Sequence, residues 1–427
     1  MQLNNIVEKK IGRNNALLIL SVFPVSILLC CIILWILDSQ INYKTILTGL
    51  ANIIFTPTIL ITDFLEVGGI SSAMINAALI GFLNLFFLKK CKLKINGLLI
   101  AAFLTVFGFS FFGINIYNII PIYVGGFLYS KYQNIKFKSI ILSVILGTGL
   151  SPVISQISFS GIMPMYFSIP LGILSGIFIG FVIVPLASHM LRFHDGYNIY
   201  NIGFTAGILG TVLTSFLRSL NIEIVSVNIL YKQKNYVLFL VLLLQFIFLI
   251  IVGFIINKKS IINYKKILKY KGRIVTDFTF LVGYGTTFLN MGILGILSLT
   301  FVYITGGIIN GPVIAAIFSV AGFGAFGKHL ANCLPICLGT LLWAYLLKFD
   351  ISSTSVIITV LFSTTIAPVA GTFGPLIGIL AGVLHFTIAS NIGIIHGGLN
   401  LYNNGFAGGL VAGFLVPIIE AFKRGEK

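Results

Sequence analysis

The chain has 427 residues, of which 58% are hydrophobic and only 9% charged, with a formal net charge of +17. A soluble domain of this length cannot bury that much apolar surface, so the composition excludes a globular cytosolic protein and points to a polytopic helical membrane protein in a lipid bilayer. The basic excess sits in short loops between apolar runs, which marks cytoplasmic loops rather than nucleic-acid binding.

In chain order, apolar runs suited to a hydrocarbon core of about 30 Å fall at 16–37, 68–88, 97–115, 116–130, 138–156, 168–190 and 201–217. A second series follows at 236–257, 282–303, 310–327, 331–347, 353–371, 375–394 and 403–421. The first run follows Lys9, Lys10 and Arg13 but lacks a small-residue cleavage site, so it reads as a retained span. Cys30, Cys31, Cys91, Cys333 and Cys337 show neither a disulfide framework nor zinc spacing.

The two series are copies. I-N-G-L-L-I-A-A from Ile95 returns as I-N-G-P-V-I-A-A from Ile309, an offset of 214 residues. The same offset pairs Thr62-Asp63-Phe64 with Thr276-Asp277-Phe278, Asn76 with Asn290, Gly113 with Gly327 and Pro121 with Pro335. A box H-x-G-x-N-x-Y-N-x-G-F starts at His194 and again at His396. Residues 1–222 form the first repeat and 223–427 the second, together one transmembrane domain. Duplication in so apolar a chain points to a transporter or channel whose site lies where the halves meet. The run 46–61 is also apolar, but its counterpart 267–275 carries Lys269, Lys271 and Arg273 and is too short to cross. Both read as interfacial or re-entrant helices.

Seven spans per copy is an odd number, so the second copy inserts upside down relative to the first. Charge agrees. With the N-terminus inside, the inner loops collect 22 of the 27 basic residues, among them Lys9, Lys10, Lys89 to Lys94, the Lys258–Arg273 cluster, Lys328 and Lys427. The expected fold is an all-α polytopic membrane protein of two inverted-topology repeats, each with about seven spans plus one interfacial or re-entrant helix. The abundance of Ile, Asn and Lys suggests an AT-rich bacterial genome, hence a multi-pass protein of the bacterial cytoplasmic (inner) membrane with both termini cytoplasmic.

No nucleophile elbow, metalloprotease motif, phosphate loop or acid/base carboxylate pair is present, so no enzyme, cofactor or metal is expected. Asn76 and Asn290 lie inside spans, where an amide must bond another helix or a permeating solute. Asn96-Gly97 and Asn310-Gly311 open the next span, either as N-caps or as re-entrant turns facing a pathway. The boxes at His194, Asn198 and Asn201 and at His396, Asn400 and Asn403 read either as capped helix starts or as vestibules or gates, one at each face. Phe109, Phe112 and their equivalents Phe323 and Phe326 are core residues or aromatic walls of a constriction. Asp63, Glu66 and Asp277 are the candidates for ion coupling. Asp63 and Asp277 each follow a threonine before a span, so helix capping is the simpler reading, and Asp→Asn is expected to be tolerated at both.

On the repeated T-D-F, I-N-G-x-x-I-A-A and H-x-G-x-N-x-Y-N-x-G-F elements, the chain resembles a family of duplicated bacterial integral-membrane proteins of unassigned function. More distantly, the Asn96-Gly97 and Asn310-Gly311 elements resemble the opening of a pore-lining helix in urea transporters, an inverted-repeat channel family. That resemblance implies an architecture; the residues after Asn76 and Asn290 are Ala77 and Met291, not the proline of the urea-transporter pore segment. The expected function is passage of a small polar solute between the repeats, without coupling. The alternatives are an H⁺- or Na⁺-coupled transporter and a non-transporting scaffold or sensor. Homo-oligomerisation is left open.

Overall fold

The computed structural model describes residues 12–222, 224, 228–258 and 260–424. Lys9, Lys10, Lys259 and Lys427, counted above as cytoplasmic, lie outside them, as does Glu223 at the repeat boundary. The first half contains α1 (Arg13–Leu37), α2 (Tyr43–Phe55), α3 (Phe64–Val67), α4 (Ile70–Lys90), α5 (Gly97–Phe109), α6 (Ile116–Tyr132), α7 (Ile141–Gly147), α8 (Pro152–Phe159), α9 (Met165–Phe193) and α10 (Asn201–Ser219). The second half contains α11 (Tyr236–Ile256), α12 (Ser260–Ile267), α13 (Phe278–Leu281), α14 (Gly283–Ile304), α15 (Gly311–Phe323), α16 (Leu330–Leu346), α17 (Thr354–Ser363), α18 (Ala367–Phe373), α19 (Pro375–Ile392) and α20 (Asn403–Arg424). Each helix of the second half answers one of the first, in order. Among the described residues no strand forms, and only three isolated β-bridges occur.

Among the described residues nine helical stretches, one of them α17 and α18 taken together, are long and apolar enough to cross a membrane, or ten if the bent pair α7–α8 is one span. The expected spans 97–115 and 116–130 are not two separate full-length crossings. Helix α5 has 13 residues, about 20 Å at 1.5 Å per residue, and it turns through the fully buried stretch Ser110–Asn115 into α6. Helices α15 and α16 do the same through Gly324–His329. Asn76, about two turns into α4, donates from Nδ2 to the carbonyls of Ser110 (2.7 Å) and Ile114 (2.9 Å) at the hairpin tip. Each hairpin therefore enters and returns from one end of the helix before it, with its tip inside the protein. A hairpin adds two passes or none, and among the described residues the remaining spans number five in the second half and four in the first, or five there with α7–α8 as one span.

Side-chain caps complete the free backbone N–H groups at the starts of several helices, exposed at α2 and buried at α6 and α16, where water cannot serve instead. Asn42 and Thr45 form a capping box on α2, Asn115 and Asn118 on α6, and His329 and Asn332 on α16. The counterpart of α2 is α12, earlier than the stretch 267–275 expected from sequence. Residues beyond α12 instead cover the second hairpin tip, with Tyr270 accepting from His329 Nε2 at 2.8 Å.

The halves meet through α5 and α15, which pack antiparallel. A Cβ on Gly97 would stand 2.2 Å from the Ala325 carbonyl oxygen, and one on Gly311 would stand 2.4 Å from that of Phe111. Between these ends, Gly108 faces Ala315 and Gly322 faces Ala101. The small residues of the repeated I-A-A element thus set how closely the two helices approach. Helices α10 and α20 cross nearby, with Phe406 over Gly207 and Phe204 over Gly409. Every such contact is matched by its counterpart with the halves exchanged, which is two-fold pseudosymmetry.

Candidate functional site at the repeat interface

The repeated aspartates sit at the ends of the central helix pair and are exchanged between halves. Asp63 caps its own α3 through Leu65 N (3.0 Å) and also accepts from Gly311 N of the other half (3.1 Å) and from Tyr231 N (3.0 Å). Asp277 accepts from Thr279 N (2.9 Å) and Thr279 Oγ1 (2.6 Å), and from Gly97 N at 3.0 Å. A carboxylate at a helix N-terminus meets both unpaired N–H groups and the positive end of the helix dipole. Glu66 is exposed. Among the described residues no His, Cys, Asp or Glu cluster suits a metal ion.

Asn96 and Asn310 are N-caps, accepting from Leu99 N and Val313 N. Asn290 repeats Asn76, donating to the carbonyls of Gly324 (2.7 Å) and Lys328 (2.8 Å). Both amides pin hairpin tips, and neither residue lines the cavity described below. Asn76→Leu and Asn290→Leu each leave two buried carbonyls without this donor, so each should cost about 1–3 kcal/mol. The readout is the thermal midpoint of the purified protein in detergent; unchanged midpoints would show that the tips are held by other contacts.

The two histidine boxes converge at their C-terminal ends, where Tyr200 packs against Gly405 and Tyr402 against Gly203. His194 Nε2 lies 3.1 Å from Asn201 Oδ1, and Asn201 Nδ2 donates to Ala187 O in α9. His396 and Asn403 repeat this at 2.9 Å, with Asn403 bonded to Ala389 O in α19. From each histidine the chain runs inward to Tyr200 or Tyr402, at the α10–α20 crossing. There Ile199 N donates to Thr365 O at the break between α17 and α18, while Leu401 N donates to Gly149 O at the break between α7 and α8. Asn198 donates to Gly405 O across the crossing, and Asn400 accepts from Tyr402 N.

Around this centre lies a cavity of about 220 Å³. Phe109 and Phe323, Tyr200 and Tyr402, and Thr105 and Ser319 line it as symmetry-related pairs. Its outer wall is not symmetric. Ser143 and Leu146 of α7 and Ser188 and Leu191 of α9 contribute, but nothing from α19 does. Phe362 of α17, the counterpart of α7, also lines the cavity, so the difference between the halves lies in α9, whose counterpart α19 contributes no lining residue.

Sequence reading placed Lys328 among cytoplasmic cations, and this is corrected. Lys328 is 0% exposed, at the tip of the second hairpin. Its Nζ donates to Tyr200 OH (2.5 Å) and Thr364 Oγ1 (2.7 Å) and stands 4.4 Å from the Tyr200 ring centroid. Two signals were available: Ile114 holds the equivalent place in the first half, and the lysine sits between two apolar runs with no neighbouring charge except His329. The positive-inside count absorbed it as one more loop cation.

A family model matches two stretches of the chain, 42–219 and 256–421, one in each half. No curated protein and no solved structure matches, urea transporters included. With well over half its length covered, and both halves represented, the chain belongs to the family described as proteins of unknown function (DUF1576).

Proposed function

We propose that this is a transport protein in which two inverted repeats, related by an axis in the membrane plane, carry a small polar solute through the central cavity by exposing it to one side at a time. The observation that carries this reading is the asymmetry of the cavity wall. A symmetric core of paired aromatics and hydroxyls is flanked by α7 and α9 of the first half, but of their second-half counterparts only by α17, through Phe362. Rocking the peripheral helices of one half outward and the other inward would exchange the open side, the usual consequence of inverted repeats. The antiparallel α5–α15 pair, and the five spans per half that result when α7–α8 counts as one, support inversion, with both ends of the chain on the cytoplasmic side. Passage without ion coupling is the better form, because the carboxylates of Asp63 and Asp277 are already occupied by backbone N–H groups.

The test is proteoliposome flux of small solutes, with and without pH and Na⁺ gradients, together with the sidedness of single cysteines. Saturable uptake that ends at equal concentrations supports the reading; accumulation driven by a gradient favours the coupled alternative. Cysteines at Lys92, Gln133 and Lys265 should be labelled from one side and those at Asn228 and Asp350 from the other; all five positions are exposed. Labelling of Lys265 and Asn228 from the same side would overturn the inverted arrangement.

A further inference from the structure

Lys328 breaks the symmetry of the centre. Its ammonium group is enclosed by Tyr200, Thr364 and the ring of Phe323. No carboxylate among the described residues stands close enough to balance it. A buried amine without a counter-charge is costly to hold as ammonium in a membrane interior, so an anion beside it would stabilise the charged form, and such residues mark sites of ion or substrate handling. An ammonium only donates, so the Tyr200 oxygen accepts from it and keeps its own proton to give elsewhere. Tyr200 lines the cavity.

The opposite wall complements this. Ile114 stands where the lysine would be, and the hydroxyl of Tyr402, the partner of Tyr200, is buried without a hydrogen-bond partner. The Thr105 hydroxyl, in the same lining, is also buried and unpartnered. The remaining wall is largely apolar, with Phe109, Phe323, Phe362 and Leu146. Hydroxyl donors lacking acceptors, in a cavity that Lys328 reaches through the Tyr200 hydroxyl, suit a ligand that brings acceptor atoms and one negative charge. A cation would be repelled by Lys328, and a neutral amide would leave its charge unbalanced.

We propose that the cavity binds a small organic monoanion, a carboxylate on an apolar body, with its charge balanced by Lys328 through the Tyr200 hydroxyl and its oxygens accepting from Tyr402 and Thr105. This deepens the transport reading and rests on it for what the site is used for. At about 220 Å³ the cavity offers more room than a bare inorganic ion fills.

The experiment is thermal stabilisation of the purified full chain by benzoate and lactate, against the neutral isosteres benzamide and lactamide. A carboxylate should stabilise the protein and its amide should not. Lys328→Met should weaken carboxylate binding at least about tenfold. Tyr402→Phe removes a hydroxyl that no protein group uses, so it should leave the unliganded midpoint unchanged and weaken carboxylate binding about fivefold. No response to either carboxylate, equal response to the amides, or wild-type carboxylate binding in both variants overturns the proposal. A carboxylate that binds but is not carried into proteoliposomes supports this inference and counts against transport. An amide carried equally well by wild type and Lys328→Met does the reverse.

Discussion

Gly311→Val is expected to prevent recovery of folded, monodisperse protein, and Gly97→Val to do the same. A Cβ at Gly311 would stand 2.4 Å from the Phe111 carbonyl oxygen and 2.6 Å from Asp63 Oδ1; at Gly97 the distances are 2.2 Å to Ala325 O and 2.8 Å to Asp277 Oδ1. These oxygens are not free to retreat. Phe111 O accepts from Phe64 N and Ala325 O accepts from Phe278 N, so each belongs to the short pairing that ties an aspartate loop to a hairpin tip. Relief must come by separating α5 from α15. Overpacking costs roughly 1–3 kcal/mol or more, and losing the charge-assisted bond to aspartate costs a further ~1.5–3 kcal/mol. Size-exclusion of detergent-solubilised protein reads the outcome, with Gly12→Val as control, since a Cβ there meets nothing within 4 Å. Wild-type recovery of both interface variants would mean that the halves do not approach this closely.

The second large effect separates the two aspartates. Asp63→Asn should lower the thermal midpoint clearly, and Asp277→Asn much less. At position 63 both carboxylate oxygens are engaged by different donors: Oδ1 takes Leu65 N and Gly311 N, while Oδ2 takes Tyr231 N. Asparagine has one acceptor oxygen, so its amide N–H₂ must face an N–H donor, and one buried backbone group loses its partner at about 1–3 kcal/mol. At position 277, Oδ1 already accepts from Thr279 N, Thr279 Oγ1 and, at 3.2 Å, Gly97 N. Asparagine can keep all three on its oxygen, and what it loses is the Oδ2 contact (3.0 Å) to the same Gly97 N, so no backbone donor is left without an acceptor. The uniform tolerance expected from helix capping alone is therefore replaced by a ranking. Equal midpoints for the two variants, measured at the same pH in the same detergent, would contradict it.

Much of the architecture can be read from spacing. The 214-residue offset of I-N-G-x-x-I-A-A and T-D-F already pairs the elements that the fold repeats, because a duplicated chain keeps the residues that cap and pack its helices. The capping roles of Asn96, Asn310, Asp63 and Asp277 follow from residue type before a helix. What spacing does not carry is which half a cap serves. Asp63 precedes α3 by one residue, yet Gly311, which shares it, lies 248 residues away. Hairpin depth was hidden for a similar reason: α5 and α6 are as apolar as full spans, and only the burial of Ser110–Asn115 shows that their turn stays inside. Lys328 was misread because a lysine between apolar runs looks the same on a loop as on a buried tip.

The exchange of aspartates between halves also orders events in time. When Gly311 leaves the ribosome, the Asp63 that receives its N–H has long been made. Gly97 is in the opposite position, since Asp277 follows it by 180 residues. At about 5–20 residues per second, α5 waits on the order of 10–40 s for the side chain that completes its first turn. The first hairpin must therefore remain provisional during synthesis, and the arrival of the second half finishes the first.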